Sequence, residues 1–357
     1  MPNRTALYDA HVAASGKMVD FAGWSLPINY GSQLDEHHAV RNSAGMFDVS
    51  HMTVVDIRGP EAGPFLRRLL ANDVARLKDS GQALYGCMLN DEGGVIDDLI
   101  TYFLDETFYR TVVNAATREA DLDWIRRQAG DFDVEIEERE DLAMIAVQGP
   151  KARQIVIDLL KAPALEELKP FRSSSHGDYF IARTGYTGED GFEVLLPTSL
   201  AESFWKGLAD AGVVPCGLGA RDSLRLEAGL NLYGQDMDTS TSPLESNLGW
   251  TVAFDPEDRD FIGRRALEQQ QSEGVNHQLV GLVLDRGAIP RTGAKVHAGD
   301  GQGQVTSGSF GPTIERPIAL ARIPTGSFET VEVELRGKRL PGRVVKPPFV
   351  RAGKVRV

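Results

Sequence analysis

LAMIAVQGPKARQIVIDLLKA, residues 142–162, decides how the chain folds. Up to Gln148 it is a short apolar run, the length of a buried strand. Gly149-Pro150 breaks the run, and KARQIVIDLLKA continues with apolar residues at helical spacing. The same grammar stands earlier in the chain. FDVSHMTVVDIRGP, residues 47–60, reads as a strand ending in Gly59-Pro60, and EAGPFLRRLLANDV, residues 61–74, as the helix behind it. Phe65, Leu66, Leu69 and Leu70 share one face of that helix, and Pro60 fits its start, where a missing N–H costs nothing.

The continuations match too. ITYFLDETFYRTVVN, residues 100–114, predicts a hairpin turning near Asp105-Glu106, followed by a helix over READLDWIRRQAG. DYFIARTGYTGEDGFEVLLP, residues 178–197, predicts a hairpin with a Gly-rich turn, followed by a helix over SLAESFWKGLADAG. Two copies of strand–helix–strand–strand–helix give antiparallel sheets flanked by helices, an α+β fold. A further short helix is expected over QLDEHHAVRNSA, residues 33–44. From about residue 278 the pattern becomes short alternating strands broken by Gly and Pro, which predicts a small all-β barrel or sandwich.

Bulk properties narrow the function. The net charge of -13 argues against nucleic-acid binding, which wants a basic face. Cys87 and Cys216 form no CxxC and no disulfide framework, so a reducing compartment is expected. No apolar span is long enough for a membrane helix, and MPNRTALYDAHVAASGKMVDF lacks the layout of a signal peptide. A soluble cytoplasmic protein is expected.

Three clusters carry candidate chemistry. In LNDEGGVIDDLITYF, residues 89–103, Asp97 and Asp98 interrupt a buried-strand pattern. Alternation sends them to opposite faces, Asp97 with Val95 and Leu99, Asp98 with Ile96, Ile100 and Tyr102. One aspartate would reach solvent and the other a pocket, where it needs a partner. Gly93-Gly94 allows a tight turn or the close approach of a ligand. The competing reading is a turn carboxylate that caps backbone N–H groups.

The second cluster is RTGYTGEDGFEV, residues 183–194, a loop of glycines followed by Glu193 inside an apolar strand. Glu189 and Asp190 fit solvated turn acids; Glu193 fits that reading less well. The third is CGLGARDSLRLEAGLNLYGQD, residues 216–236, a helix with Arg221 in its first turn, where a cation opposes the helix dipole. Either an anionic or carbonyl partner relieves this, or Arg221 is a solvated surface residue. Gly217 and Gly219 make only a weak dinucleotide signature. His37-His38 diverge on a helix and no HxxxH occurs, so no metal site is expected. No nucleophile motif accompanies His51, Cys87 reads as a small buried residue, and neither GxSxG nor GxxxxGK[ST] is present.

MVDFAGWSLPINYGSQLDEHHAVRNSAGMFDVSHM, LNDEGGVIDDLI, MIAVQGP, TGYTGEDGFEV, GLGARDSLRLEAGLNLYGQDMD and RDFIGRRAL, taken in order, resemble the T-protein family of the glycine cleavage system, over about residues 7–350. The resemblance implies a three-lobed cloverleaf around a central folate cavity: residues 1–55 with 142–277, residues 56–141, and a barrel lobe at 278–357. It implies a tetrahydrofolate-dependent aminomethyltransferase that takes its carbon from the lipoyl arm of H protein and releases ammonia. Asp97 matches the family's key acid and Glu193 its pterin-binding carboxylate. Arg221 matches the arginine of its ARDSLRLEAG motif, donating to folate or bracing Glu193. Tyr85, Tyr186 and Trp250 would line the cavity, and Met52 and Asn114 follow from their motif contexts. Arg286 and Arg291 in the DRGAIPR loop could meet an acidic carrier, or simply be solvated. The rival is a noncatalytic folate-binding protein of the same superfamily. LNLYGQDM lacks the Lys and Cys of the branch that serves iron–sulfur maintenance.

Overall fold

The computed structural model describes residues 2–285, 287 and 289–357. They form two compact units: Met1–Ala62, Leu77–Leu84 and Ile100–Leu224 in the first, and Gly63–Arg76, Tyr85–Leu99 and Arg225–Val357 in the second.

In the first unit the repeat beginning at residue 142 builds a six-stranded sheet. Its order is Ser173–His176, Tyr179–Ala182, Gly191–Pro197, Leu142–Gln148, Gly45–Asp48 and Val214–Pro215. Strand Leu142–Gln148 is central, which explains its unbroken apolar run: both faces are covered. Ile145 and Val147 pack with Val156, Phe204, Trp205 and Leu208, from the helices Ala152–Leu160 and Thr198–Asp210. Met144 and Ala146 face the other way, onto Val54, Tyr102, Val112 and Phe180.

The earlier repeat contributes to a five-stranded sheet ordered Ala83–Leu89, Val95–Asp105, Phe108–Val113, Thr53–Arg58 and Glu135–Glu138. Gly59 and Gly149 end the first strand of each repeat at φ of 136° and 129°. A Cβ at either would lie 2.3 Å or 2.5 Å from a backbone carbonyl oxygen, of Asp133 or Ser43, so glycine is needed twice for the same turn.

Two expectations change. Residues 47–60 are not one strand but the ends of two, Gly45–Asp48 and Thr53–Arg58, in different sheets. The break is held by Ser50 N–H on Asp48 Oδ1 at 3.0 Å and Met52 N–H on the Val49 carbonyl at 3.0 Å. Each repeat also carries an additional strand before its hairpin, Ala83–Leu89 and Ser173–His176. The second of these, Ser-Ser-Ser-His, has no apolar residue and therefore no periodic signal. The predicted helices are present at 33–42, 62–69, 118–128, 152–160, 198–210 and 218–227. Ser32 caps the first by accepting the Asp35 N–H at 3.2 Å.

In the second unit six strands close into a barrel ordered His277–Leu284, Arg316–Pro324, Gly301–Gly311, Lys295–Ala298, Thr330–Leu335 and Lys338–Val345. Leu282, Val296, Val305, Ala319, Ala321 and Val333 fill it. Elsewhere in this unit the Arg259 guanidinium donates to the carbonyls of Arg67, Leu70, Ala71, Asn72 and Ala253 at 2.6–3.1 Å. Among the described residues no helix is long and apolar enough to cross a membrane.

Candidate active site

In the second unit the chain reaches Asp97 through a tight turn. Asn90 N–H donates to the Gly94 carbonyl at 2.9 Å, and Gly94 N–H returns to Asn90 Oδ1 at 2.7 Å. A Cβ on Gly94 would fall 1.9 Å from the Thr239 carbonyl oxygen. The close approach foreseen at Gly93-Gly94 is thus made by backbone. Strand Val95–Asp105 then places Asp97 at 0 % exposure, on the same face as Val95 and Leu99, which are also buried. Asp98 is half-buried on the other face, accepting the Tyr85 hydroxyl at 2.8 Å. Alternation therefore separates the two aspartates as foreseen, with Asp97 inside. Both lie within the strand Val95–Asp105, after the turn at 90–94.

Tyr85 stacks on Trp250, with centroids 5.9 Å apart and planes at 29°. Trp250 sits on a short 3₁₀ turn, Gly249–Thr251, and is 67 % exposed. A ring so open has a free flat face to offer. Cys87 is fully buried, 3.9 Å from the Thr251 hydroxyl. Burial and the charges of Asp98 and Asp97 push its thiol well above the usual range, so it is inert, as the sequence suggested.

In the first unit Glu193, Arg221 and Tyr186 come together. Glu193 faces Ala146 and Ala182 in register, so small neighbours leave room for its carboxyl. Thr184 Oγ1 donates to Glu193 Oε2 at 2.7 Å, and the Tyr102 hydroxyl lies 3.3 Å from Thr184 Oγ1. Burial raises the Glu193 carboxyl above its ordinary range, against the pull of Thr184 and of the Arg221 charge. The Arg221 guanidinium carbon stands 4.8 Å from the Tyr186 ring centroid. Burial lowers the Arg221 guanidinium, and Glu193 offsets part of that. Arg221 is thus a part-buried cation over an aromatic face, and the solvated-surface alternative falls away.

The remaining candidates are less closely tied. Asn114 precedes the short turn Ala115–Thr117 and its carbonyl accepts the Thr117 hydroxyl at 3.0 Å. Met52 packs part-buried against the Val54 and Met144 cluster. Arg291 is exposed, and Arg286 lies outside the described residues.

The glycines of the loop allow close approach: a Cβ at Gly185 would lie 1.9 Å from Gln148 Oε1, and Gln148 donates to the Thr184 carbonyl at 3.1 Å and accepts the Thr187 hydroxyl at 2.9 Å. One reading of this loop needs correction. Glu189 is not a solvated acid: it pairs with Arg41 at 2.7 Å, both side chains nearly inaccessible. Asp190 takes a two-pronged bond from Arg183 at 2.8 and 2.6 Å. Gly217 and Gly219 serve packing against Ile28 and Gln33. Thr184, Tyr102 and His51 had no assigned part; a hydroxyl or imidazole leaves no periodicity to find.

Two family models match. One described as the GCVT N-terminal domain covers residues 7–256, and one described as the glycine cleavage T-protein C-terminal barrel domain covers residues 277–351. An aminomethyltransferase of Xanthomonas axonopodis pv. citri (strain 306) is 58 % identical over 361 residues, spanning 99 % of this chain and 98 % of the relative. One of Stenotrophomonas maltophilia (strain K279a) is 57 % identical, spanning 99 % and 97 %. The solved glycine cleavage system aminomethyltransferase T from Bartonella henselae superimposes with a TM-score of 0.93 at 36 % identity, covering 100 % of both chains. The α+β architecture, the terminal barrel and these full-length likenesses agree, and the chain belongs to the glycine cleavage T-protein family of aminomethyltransferases.

Proposed function

We propose that the protein transfers the methylene carbon of an aminomethyl group, carried on the lipoyl arm of H protein, to tetrahydrofolate. Folate N5 attacks the methylene carbon and ammonia leaves. The carbon–sulfur bond then breaks, the sulfur takes a proton and the lipoyl arm departs reduced. N10 closes on the resulting iminium carbon and loses its proton, giving 5,10-methylenetetrahydrofolate. Tetrahydrofolate is the acceptor substrate, and the cytoplasm, where thiols such as Cys87 and Cys216 stay reduced, is the proposed setting.

The burial of Asp97 carries this reading. A buried carboxylate held on a strand is a fixed anion in a low-dielectric site, and it stabilises positive charge that develops beside it, as on an iminium. Holding folate and the incoming carbon in line contributes a further large share of the rate. Glu193 accepts the 2-amino and N3–H groups of the pterin, which match a carboxylate's two oxygens. Arg221 flanks that carboxylate. Tyr186, and the stacked pair Tyr85 and Trp250, offer flat surfaces to the rings. Met52 and Asn114 complete the folate contacts, and Arg291 meets the carrier.

The test is formation of methylenetetrahydrofolate and ammonia with loaded H protein as donor. Asp97→Asn is expected to fold and to bind folate but to lose most turnover. A noncatalytic folate binder would instead take up tetrahydrofolate and release no ammonia from the wild-type mixture.

A further inference from the structure

The hydroxyl that reaches Glu193 is itself held by a second hydroxyl. Thr184 Oγ1 lies 2.7 Å from Glu193 Oε2, and the Tyr102 hydroxyl lies 3.3 Å from Thr184 Oγ1. An ionised carboxylate only accepts, so the Thr184 proton is committed to Glu193. The Tyr102 proton must then point at Thr184. The bonds run one way, Tyr102 to Thr184 to Glu193, and each polarises the next. Burial and the Glu193 charge raise the Tyr102 phenol above its usual range, so it stays a donor.

Tyr102 and Thr184 are each fixed by other contacts. Tyr102 is buried on its strand, its ring edge-on to Phe180 with centroids 5.2 Å apart. The Thr184 carbonyl accepts Gln148 Nε2 at 3.1 Å, and the neighbouring Arg183 N–H bonds the Arg172 carbonyl at 2.8 Å. Gln148 is fully buried at the end of the strand Leu142–Gln148. The loop therefore does not depend on the Thr184 hydroxyl for its path. The Glu193 carboxyl does depend on it. Its strand neighbours Ala146 and Ala182 end in methyl groups, which hold the stem and offer no hydrogen bond to the head. Arg221 attracts that head by charge. Charge attracts from any direction, whereas a hydroxyl at 2.7 Å fixes one.

We propose that Thr184 is a positioning residue: its hydroxyl, oriented by Tyr102, holds the Glu193 carboxylate in the rotamer that presents its acceptors to the 2-amino and N3–H groups of the pterin. This rests on the tetrahydrofolate reading above. The Thr184 bond takes one acceptor site on Oε2, so each carboxylate oxygen keeps capacity for a ligand donor. A glutamate loses much rotamer freedom when it is fixed. Holding it beforehand removes that loss from the binding step.

The experiment measures dissociation constants for tetrahydrofolate in single and double variants of the full chain. Thr184→Val keeps the shape and removes the donor; Thr184→Ser keeps the donor. Thr184→Val is expected to weaken binding about tenfold, Tyr102→Phe about threefold, and Thr184→Ser to keep most of the wild-type affinity. In a Glu193→Ala background, where the carboxyl is gone, Thr184→Val should cause no further loss. A Thr184→Val variant that binds as wild type does would overturn the proposal. So would a loss that Thr184→Ser shares, or one that persists undiminished beside Glu193→Ala, since either makes Thr184 a packing residue. Wild-type protein that binds no tetrahydrofolate would instead sink the substrate reading, and this inference with it.

Discussion

Tyr85 donates its hydroxyl to Asp98 at 2.8 Å, on the opposite face of the strand from the fully buried Asp97. Adjacent residues with the same chemistry therefore serve different ends. Asp97→Asn should cut kcat by about 10²–10³, the usual loss when a group stabilising transition-state charge is removed. Asp98→Asn, which keeps an acceptor for Tyr85, should stay within about tenfold. Steady-state assays of the two variants check the contrast; equal losses would contradict it.

Glu193 illustrates a trade between binding and stability. Its carboxyl is raised by burial, so above that raised value the folded state holds a charge it would rather not carry. Glu193→Gln should melt no lower than wild type at pH 8. It should also bind tetrahydrofolate about 10- to 100-fold more weakly, because an amide has one acceptor oxygen where two are needed. Calorimetry and ligand titration read the two effects separately.

His51 predicts an acid-side loss of stability. Its imidazole is pushed from 6.5 down to about 4 by burial, with Arg221 assisting and Asp48 opposing. Between those values the unfolded chain binds a proton that the folded one refuses, so stability falls as pH drops through 6.5 and levels off below about 4. By linkage the full difference is about 3 kcal/mol. Subtracting the unfolding free energies of His51→Leu from those of wild type over pH 4–7 isolates this contribution, since other titrating groups largely cancel. A flat difference would refute it.

Gly94→Ala should destabilise without touching substrate. Its new Cβ would meet the Thr239 carbonyl oxygen, which is backbone and cannot swing aside. A loss of about 2–4 kcal/mol is expected, seen as a lower urea midpoint.

The sheets and helices were legible where an apolar period existed. Leu142–Gln148 and its helix stand where the run and the Gly-Pro break place them, and the same holds for Gly59-Pro60. Ser173–His176 was not legible, because its side chains carry no hydrophobic signal. Chain reversal at residues 49–52 was missed because a side-chain cap from Asp48, not glycine or proline, makes it. At the candidate site, alternation separated Asp97 from Asp98 but could not say which was inside. Glu193 was legible as an acid in an apolar strand. Its support by Thr184 and Tyr102 was not, since hydroxyls carry no periodic signal and Tyr102 arrives from a strand of the other sheet.

The closed barrel has a bearing on how this protein meets others. Strand His277–Leu284 bonds to Arg316–Pro324 on one side and, from Gly281, to Lys338–Val345 on the other, so from Gly281 to Val283 this strand is paired on both sides. A peptide cannot join it there by extending the sheet, and neither can a second copy. Whatever docks there has to be recognised through side chains and loops. A self-templating, fibre-like mode of association is closed to that part of the molecule.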